Sequence, residues 1–405
     1  MVLFKIAFRN LFRQKRRTVF TALSMFGGFV LAAFFIGFAD GAYNGIIDIF
    51  TRNRLGHIQI HKKGYLDNPS IYKTIDDVDE INNLLENTEK VENWTPRLFS
   101  AGLVSVGEET AGAQITGIDP EKENLTTHFE KKIVKGRNFS SEPSHEVILG
   151  KGLAKILKTG LNEEVIIISQ AADGSIANDV YTIVGISETG NDNEDRISFY
   201  LHIKDAQELF VLEGRIHEMA ITVKNLKDVN KVNKVLKKKL NDTELSVAPW
   251  QVFARSFYIA MKADKEGMWI MLVIVMIIVA VGVLNTVLMS VLERQREYGV
   301  LRAVGTKPAQ IIKLVLAELN IIAVICVVAG AIVAFLLNSF FVSHGIELSN
   351  PINYGGMEFK SMYSEVNARS FYIPAIVVIL SATFVGIFPA LKAAHTDPAK
   401  SMRFH

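Results

Sequence analysis

A hydrolytic or metal centre in this chain would be sought first at its histidines. His57 and His61 stand four residues apart in LGHIQIH. That stretch alternates apolar and polar residues and reads as a half-buried strand, on which positions i and i+4 share a face about 13 Å apart. One ion cannot bridge that distance. The sole cysteine, Cys326, lies inside an apolar run, so nothing completes a zinc-type ligand set, and no nucleophile–base pairing can be discerned. A G-x-x-x-x-G-K-[ST] phosphate loop is also lacking, since the pair Gly150–Lys151 does not have its spacing. The chain is therefore expected to hold no metal, to be no enzyme and to leave ATP binding to another subunit.

The charged bridge ERQREYGVLRAVGTKPAQ, Glu293 to Gln310, stands out instead, because it separates two long apolar runs. Its pattern predicts one short helix over Glu293 to Val304, with Val300, Leu301 and Val304 as apolar positions and Arg294, Glu297 and Arg302 supplying charge. Gly305 suits the C′ position, where left-handed backbone costs a glycine little. Thr306 reads as the N-cap of the next helix, with Pro308 in its first turn. A loop that only returns the chain needs about 2–8 residues. A longer, amphipathic one fits a surface that docks into a partner's groove, with an interfacial helix anchored to headgroups as the other reading. Glu318, one turn inside the following run, is costly in a span. It reads either as paired with Lys313 or Arg302 or as coupling helix to helix.

The elements that must position this bridge follow from hydropathy. A transmembrane helix needs about 20 apolar residues, and four segments qualify: 18–39, 267–292, 314–341 and 370–391. The first is too long for the roughly 7–15 residue core of a signal peptide, so it is expected to be an anchor. Gly27, Gly28, Gly37 and Gly282 would permit close helix contact. Residues 1–17 carry six basic residues and no acids, and read as an amphipathic cytoplasmic or interfacial helix. Segment 293–313 has five basic residues against two acids, and tail 392–405 three against one. Basic flanks stay inside, so these segments are expected in the cytoplasm. The insert 40–266 carries 28 Lys and Arg against 35 Asp and Glu, a net of −7, and is expected outside. The chain's +2 is a sum of opposed parts and gives nucleic-acid binding no support.

The expected fold is thus an α+β integral membrane protein. It has four transmembrane helices and a large mixed α/β extracytoplasmic domain between helices 1 and 2. That domain spans 40–248 and is followed by a helical stalk, 249–266, and a short outer loop is expected at 342–369. Within the domain, strands are expected at Leu55–His61, Leu98–Val106, Ala113–Ile118, Glu164–Ser169 and Val180–Ile186, and helices at Asp76–Leu85 and Gly150–Lys158. A β-α-β unit is expected from Met219 to Ala248 through a Lys-rich helix.

REYGVLRAVG at Arg296 to Gly305 resembles the cytoplasmic coupling segment of FtsX-like ABC-transporter permeases. PALKAAHTDPAKSMR resembles their C-terminal signature and FRNLFRQKRRT their opening. In the outer domain, ITGIDPEKE, VKGRNF and VILGKGLAKILKTGLNEEV look like the core domain of the MacB type, and LGHIQIHKKGY with LNTVLMSVLERQREYG is most similar to the lipoprotein-release permeases LolC and LolE. The resemblance covers most of the chain. It implies a multi-pass protein of the inner membrane with cytoplasmic termini. A separate ABC ATPase dimer, carrying ATP and Mg, would grip Glu297, Tyr298, Gly299, Val300, Leu301, Arg302, Ala303, Val304 and Gly305. It further implies a second permease chain, the same or a relative, and mechanotransmission driving lipoprotein release; membrane lipids, lipoproteins and a periplasmic carrier are the implied contacts. The hairpin Ala171–Asn178 is short and polar where LolC has a longer apolar hook, so carrier hand-off from it is not expected. MacB-like efflux of peptides or drugs and FtsX-like transmembrane regulation are the alternatives.

Overall fold

A computed structural model describes residues 15–354 and 357–395. Residues 1–14 of the leader 1–17 and residues 396–405 of the tail 392–405 lie outside the described residues.

In chain order, α1 (Lys15–Phe50) ends in a π-helical turn (Thr51–Leu55) and is followed by β1 (Ile58–Lys62), α2 (Val78–Glu86), β2 (Val91–Val106) and β3 (Glu109–Ile118). Then come α3 (Pro120–Thr127), a 3-10 turn (Phe129–Lys132), β4 (Ile133–Gly136), β5 (Glu146–Gly150), α4 (Lys151–Ile156), β6 (Glu164–Gln170) and β7 (Ile176–Ser187). Next are α5 (Asp192–Asp195), β8 (Ser198–His202), α6 (Ile203–Leu209), β9 (Glu218–Val223), α7 (Val229–Lys239) and β10 (Leu245–Pro249). The chain finishes with α8 (Trp250–Phe253), α9 (Arg255–Glu293), α10 (Gln295–Ala303), α11 (Pro308–His344), β11 (Ile346–Tyr354), β12 (Met357–Met362) and α12 (Arg369–Ala394). Four helices, α1, α9, α11 and α12, are long and apolar enough to cross a membrane.

Two compact units share these elements. The membrane unit comprises 1–43, 262–347 and 361–405, and the outer unit 44–261 with 348–360. In the membrane unit, Met25, Phe29, Ala33 and Ile36 of α1 share one apolar core with Leu272, Met276 and Val283 of α9, Leu319 and Ile322 of α11, and Val378 and Ala382 of α12. Of the four glycines expected to permit close helix contact, two do so. A Cβ on Gly28 would sit 2.8 Å from Val279 Cγ1, and one on Gly37 would collide with the Asn338 carboxamide. Gly27 and Gly282 face open space, so the close contact expected there is absent. Asn338 is fully buried, donates to Ala334 O at 3.0 Å and accepts from Ser364 Oγ at 2.6 Å. These bonds satisfy an amide that lipid could not.

The outer unit is built on one sheet that partly closes. Strand β6 pairs with both β2 and β7, so β2, β3, β8, β5, β7 and β6 form a ring. Alternate residues of its strands point inward, among them Val104, Ile115, Leu149, Ile167, Tyr181 and Phe199, all at most 1% exposed. The intervening Leu103, Ile166, Ile168 and Val180 face out. The first half of β2 leaves the ring and pairs with β9; β9 pairs in turn with β1, and β1 with β10.

Several expectations change. The strand expected to be half-buried, β1, lies between β9 and β10 and is buried on both faces through His61, because its polar side chains find internal partners. The hairpin expected over Ala171–Asn178 is tighter, since β7 already begins at Ile176. The outer loop 342–369 contains a paired hairpin, β11 and β12. Within the stalk region a four-residue helix, α8, breaks at Ala254 before α9 begins.

Candidate functional site: the bridge between the second and third membrane helices

The bridge is two helices meeting at a corner, with an extra break that the sequence pattern did not show. Helix α9 stops at Glu293, Arg294 takes φ −92° and ψ 10°, and α10 starts at Gln295. At its other end α10 closes in a Schellman motif. Thr306 N donates to Leu301 O at 3.0 Å and Gly305 N to Arg302 O at 3.0 Å, with Gly305 at φ +99°. Gly305 is therefore at C′, as expected. The cap of α11 is Lys307 and not Thr306: its N–H donates to the Gln310 Oε1 at 3.0 Å, with Pro308 at N1.

Arg294 ties the corner to the next membrane helix. Its Nη1 donates to Glu318 Oε2 at 2.7 Å, its Nη2 to Glu318 Oε1 at 3.4 Å, and its Nε to Glu297 Oε2 at 3.1 Å. Both Arg294 and Glu318 are 9% exposed. Glu318 thus pairs with Arg294 and not with Lys313 or Arg302, the partners offered by one of its two readings. The reason is geometric: the corner turns Arg294 back toward α11, and a planar guanidinium can hold a carboxylate through two bonds. Its plane also lies over the Tyr298 ring, 5.2 Å from the centroid.

The residues expected to couple therefore divide between two sides. Tyr298 and Gly299 are buried, Tyr298 within the membrane unit's apolar core. Glu297 and Arg302 are half-buried, and Arg302 Nε is enclosed with no hydrogen-bond partner. Val300, Leu301, Ala303, Val304 and Gly305 are exposed, Val304 at 83%. One side of α10 is thus fastened to the bundle while the other presents an apolar surface. Sequence reasoning missed Arg294 as a site residue; its partner is 24 positions away and no local pattern links them.

The histidines do structural work in the outer unit. His57 Nδ1 accepts from Val223 N at 3.0 Å and Nε2 lies 3.2 Å from Asp48 Oδ1. His61 Nδ1 lies 3.0 Å from His217 O and Nε2 3.1 Å from Gln59 Oε1. Among the described residues no three His, Cys, Asp or Glu side chains are grouped to hold a metal.

Residues 18–239 match the MacB-like periplasmic core domain family, and residues 269–398 the FtsX-like permease C-terminal family. The lipoprotein-releasing system transmembrane protein LolC of Neisseria meningitidis serogroup B is 24% identical over 372 residues, 87% of this chain and 87% of that protein. The macrolide export ATP-binding/permease protein MacB of Pasteurella multocida is 22% identical over 410 residues, 98% of this chain but 60% of its own length. The crystal structure of the periplasmic region of MacB from Actinobacillus actinomycetemcomitans superposes with a TM-score of 0.37 at 15% identity, covering 52% of this chain and 98% of that one. With one family match spanning more than half of the chain and a second covering its last three membrane helices, the chain belongs to the FtsX-like, MacB-type superfamily of ABC transporter permeases.

Proposed function

We propose that this chain is the permease subunit of a mechanotransmission complex that releases lipoproteins from the inner membrane. In this complex two permease chains pair, and an ABC ATPase dimer on the cytoplasmic side carries ATP and Mg. The reading rests on the two-sided coupling helix. Val300, Leu301, Ala303 and Val304 offer an apolar surface to a partner groove, while Arg294, Glu318 and Tyr298 join the opposite side to the bundle. A push on α10 would then be carried into α9 and α11 without slack. The basic flanks of the spans support a cytoplasmic position for that helix and both termini, and α9, the least covered of the four membrane helices, offers apolar surface for a second permease chain or for lipid. The likeness to LolC over most of both chains supports lipoprotein cargo. MacB-like efflux is the second reading, favoured by the match of the outer domain.

The test is the double variant Leu301→Asp and Val304→Asp. Burying apolar side chains of this size in a partner contributes about 1.5–3 kcal/mol each, and an introduced carboxylate adds a desolvation cost. Copurification of the ATPase and its stimulated turnover should therefore fall at least 100-fold, with membrane insertion unchanged. ATPase capture at the unsubstituted level would remove the coupling assignment.

A further inference from the structure

The outer unit holds a cavity of about 190 Å³ that the coupling reading does not use. Its wall carries six charged side chains, Arg54, Arg97, Lys132, Glu123, Glu194 and Glu218, so its formal charge sums to zero. Their bonding is uneven. Arg97 uses four of its five N–H donors: Nε donates to Glu123 Oε2 at 3.0 Å, Nη1 to Glu218 Oε1 at 3.0 Å, and Nη2 to Glu123 Oε1 at 2.6 Å and Arg54 O at 2.7 Å. Glu123 also accepts from Thr127 Oγ1 at 2.8 Å and Thr95 Oγ1 at 3.1 Å. Burial opposes its charge, and Arg97 more than offsets this, holding it below the usual carboxylate range.

Lys132 and Glu194 have capacity left. Lys132 is half-buried and makes no ion pair among the described residues; its Nζ lies 5.6 Å from the centroid of the Phe129 ring. Burial pushes its ammonium down to about 8, while Glu123 and Glu194 pull it up and Arg97 and Arg54 push it down. Glu194 Oε2 is enclosed and lies 2.7 Å from Arg54 Nη2, but in a direction that makes no hydrogen bond. Burial raises this carboxyl above its ordinary range. The neutral polar groups of Gln114, Thr116, Ser198 and Tyr200 line the space between.

We propose that this cavity binds a small zwitterion with the size and charge pattern of a free α-amino acid, its carboxylate on Lys132 and its ammonium on Glu194. The space of about 190 Å³ admits a molecule of this size, and charge selects the class. A singly charged ligand would leave one uncompensated charge in a poorly solvated pocket whose own charges already balance, which is costly. A ligand with one charge of each sign leaves none, and it supplies an ion pair to Lys132 and a hydrogen-bond donor to Glu194, whose Oε2 has the Arg54 charge beside it but accepts no hydrogen bond.

The experiment is calorimetric titration of the full chain in lipid nanodiscs with glycine and L-alanine, using acetate and methylammonium as single-charge probes. At least one amino acid should bind one to one, with both single-charge probes at least tenfold weaker. Lys132→Gln and Glu194→Gln should each weaken amino-acid binding tenfold or more, and Lys155→Gln, on the exposed side of α4, should not. Absence of binding by both amino acids, acetate binding as tightly as L-alanine, or a Lys132→Gln variant that binds unchanged would each overturn the proposal. The single-charge probes test the unsubstituted chain and do not depend on how the variants fold.

Discussion

Replacing Arg294 by Gln should reveal how firmly the coupling helix is fastened. The substitution removes two bonds to Glu318 and one to Glu297, at 2.7, 3.4 and 3.1 Å. Breaking a buried pair by removing one partner costs about 3–5 kcal/mol. The lower end applies here, about 3 kcal/mol, because each side chain of the pair retains roughly a tenth of its exposure. Glu318→Gln should cost less, about 1.5 kcal/mol, since its carboxamide oxygen still accepts and Glu297 still holds Nε of Arg294. The double variant should cost about 1.5 kcal/mol less than the sum of the singles, because the second change removes a group whose partner has already gone. The assay is equilibrium unfolding in mixed micelles, followed by far-ultraviolet circular dichroism across the four chains of the cycle. If the singles add to within about 0.5 kcal/mol, the two side chains do not act as a pair and α10 is not fastened through them. A larger loss for Glu318→Gln than for Arg294→Gln would refute the same reasoning from the other side.

Cargo is tested by depletion: loss of this chain should leave acylated lipoproteins at the inner membrane, whereas normal lipoprotein sorting with hypersensitivity to drugs or peptides would favour efflux. Lys132 predicts a pH dependence. Its folded-state value is lowered from 10.5 to about 8, so between these values the unfolded chain holds more protons and stability rises with pH. Below about pH 8 both states are protonated and the cost of burying the ammonium is fully present. The thermal stability of the unsubstituted chain, measured against Lys132→Gln in nanodiscs, should therefore improve from pH 8 to 10.5 and stay level below that window; a constant difference throughout would contradict the assignment.

Apolar pattern and turn chemistry were legible because both are local. The four spans follow from run length, the position of Gly305 from the backbone that a helix end demands, and the β-α-β unit from Met219 to Ala248 from its alternating periods; the structure places β9, α7 and β10 there. Ring closure in the outer unit was not legible. Strand β6 offers Val165 and Ile167 inward and Ile166 and Ile168 outward, so both faces look alike to a hydropathy count, and nothing nearby tells that β6 returns to β2.

Polar residues inside apolar elements account for the rest. Gln59 and His61 made β1 look half-exposed, yet their partners are Leu55 O and His217 O. Arg97 sits in a strand and is stabilised by Glu123 and Glu218, 26 and 121 positions away, and Arg294 depends on Glu318 in the next helix. A buried charge is tolerated only when such partners exist, so each of these residues reports on tertiary structure that periodicity does not encode. For Arg294 the partners are already in place, and removing one should cost stability. For Lys132 the described residues supply no ion pair, and adding one from solution should contribute it.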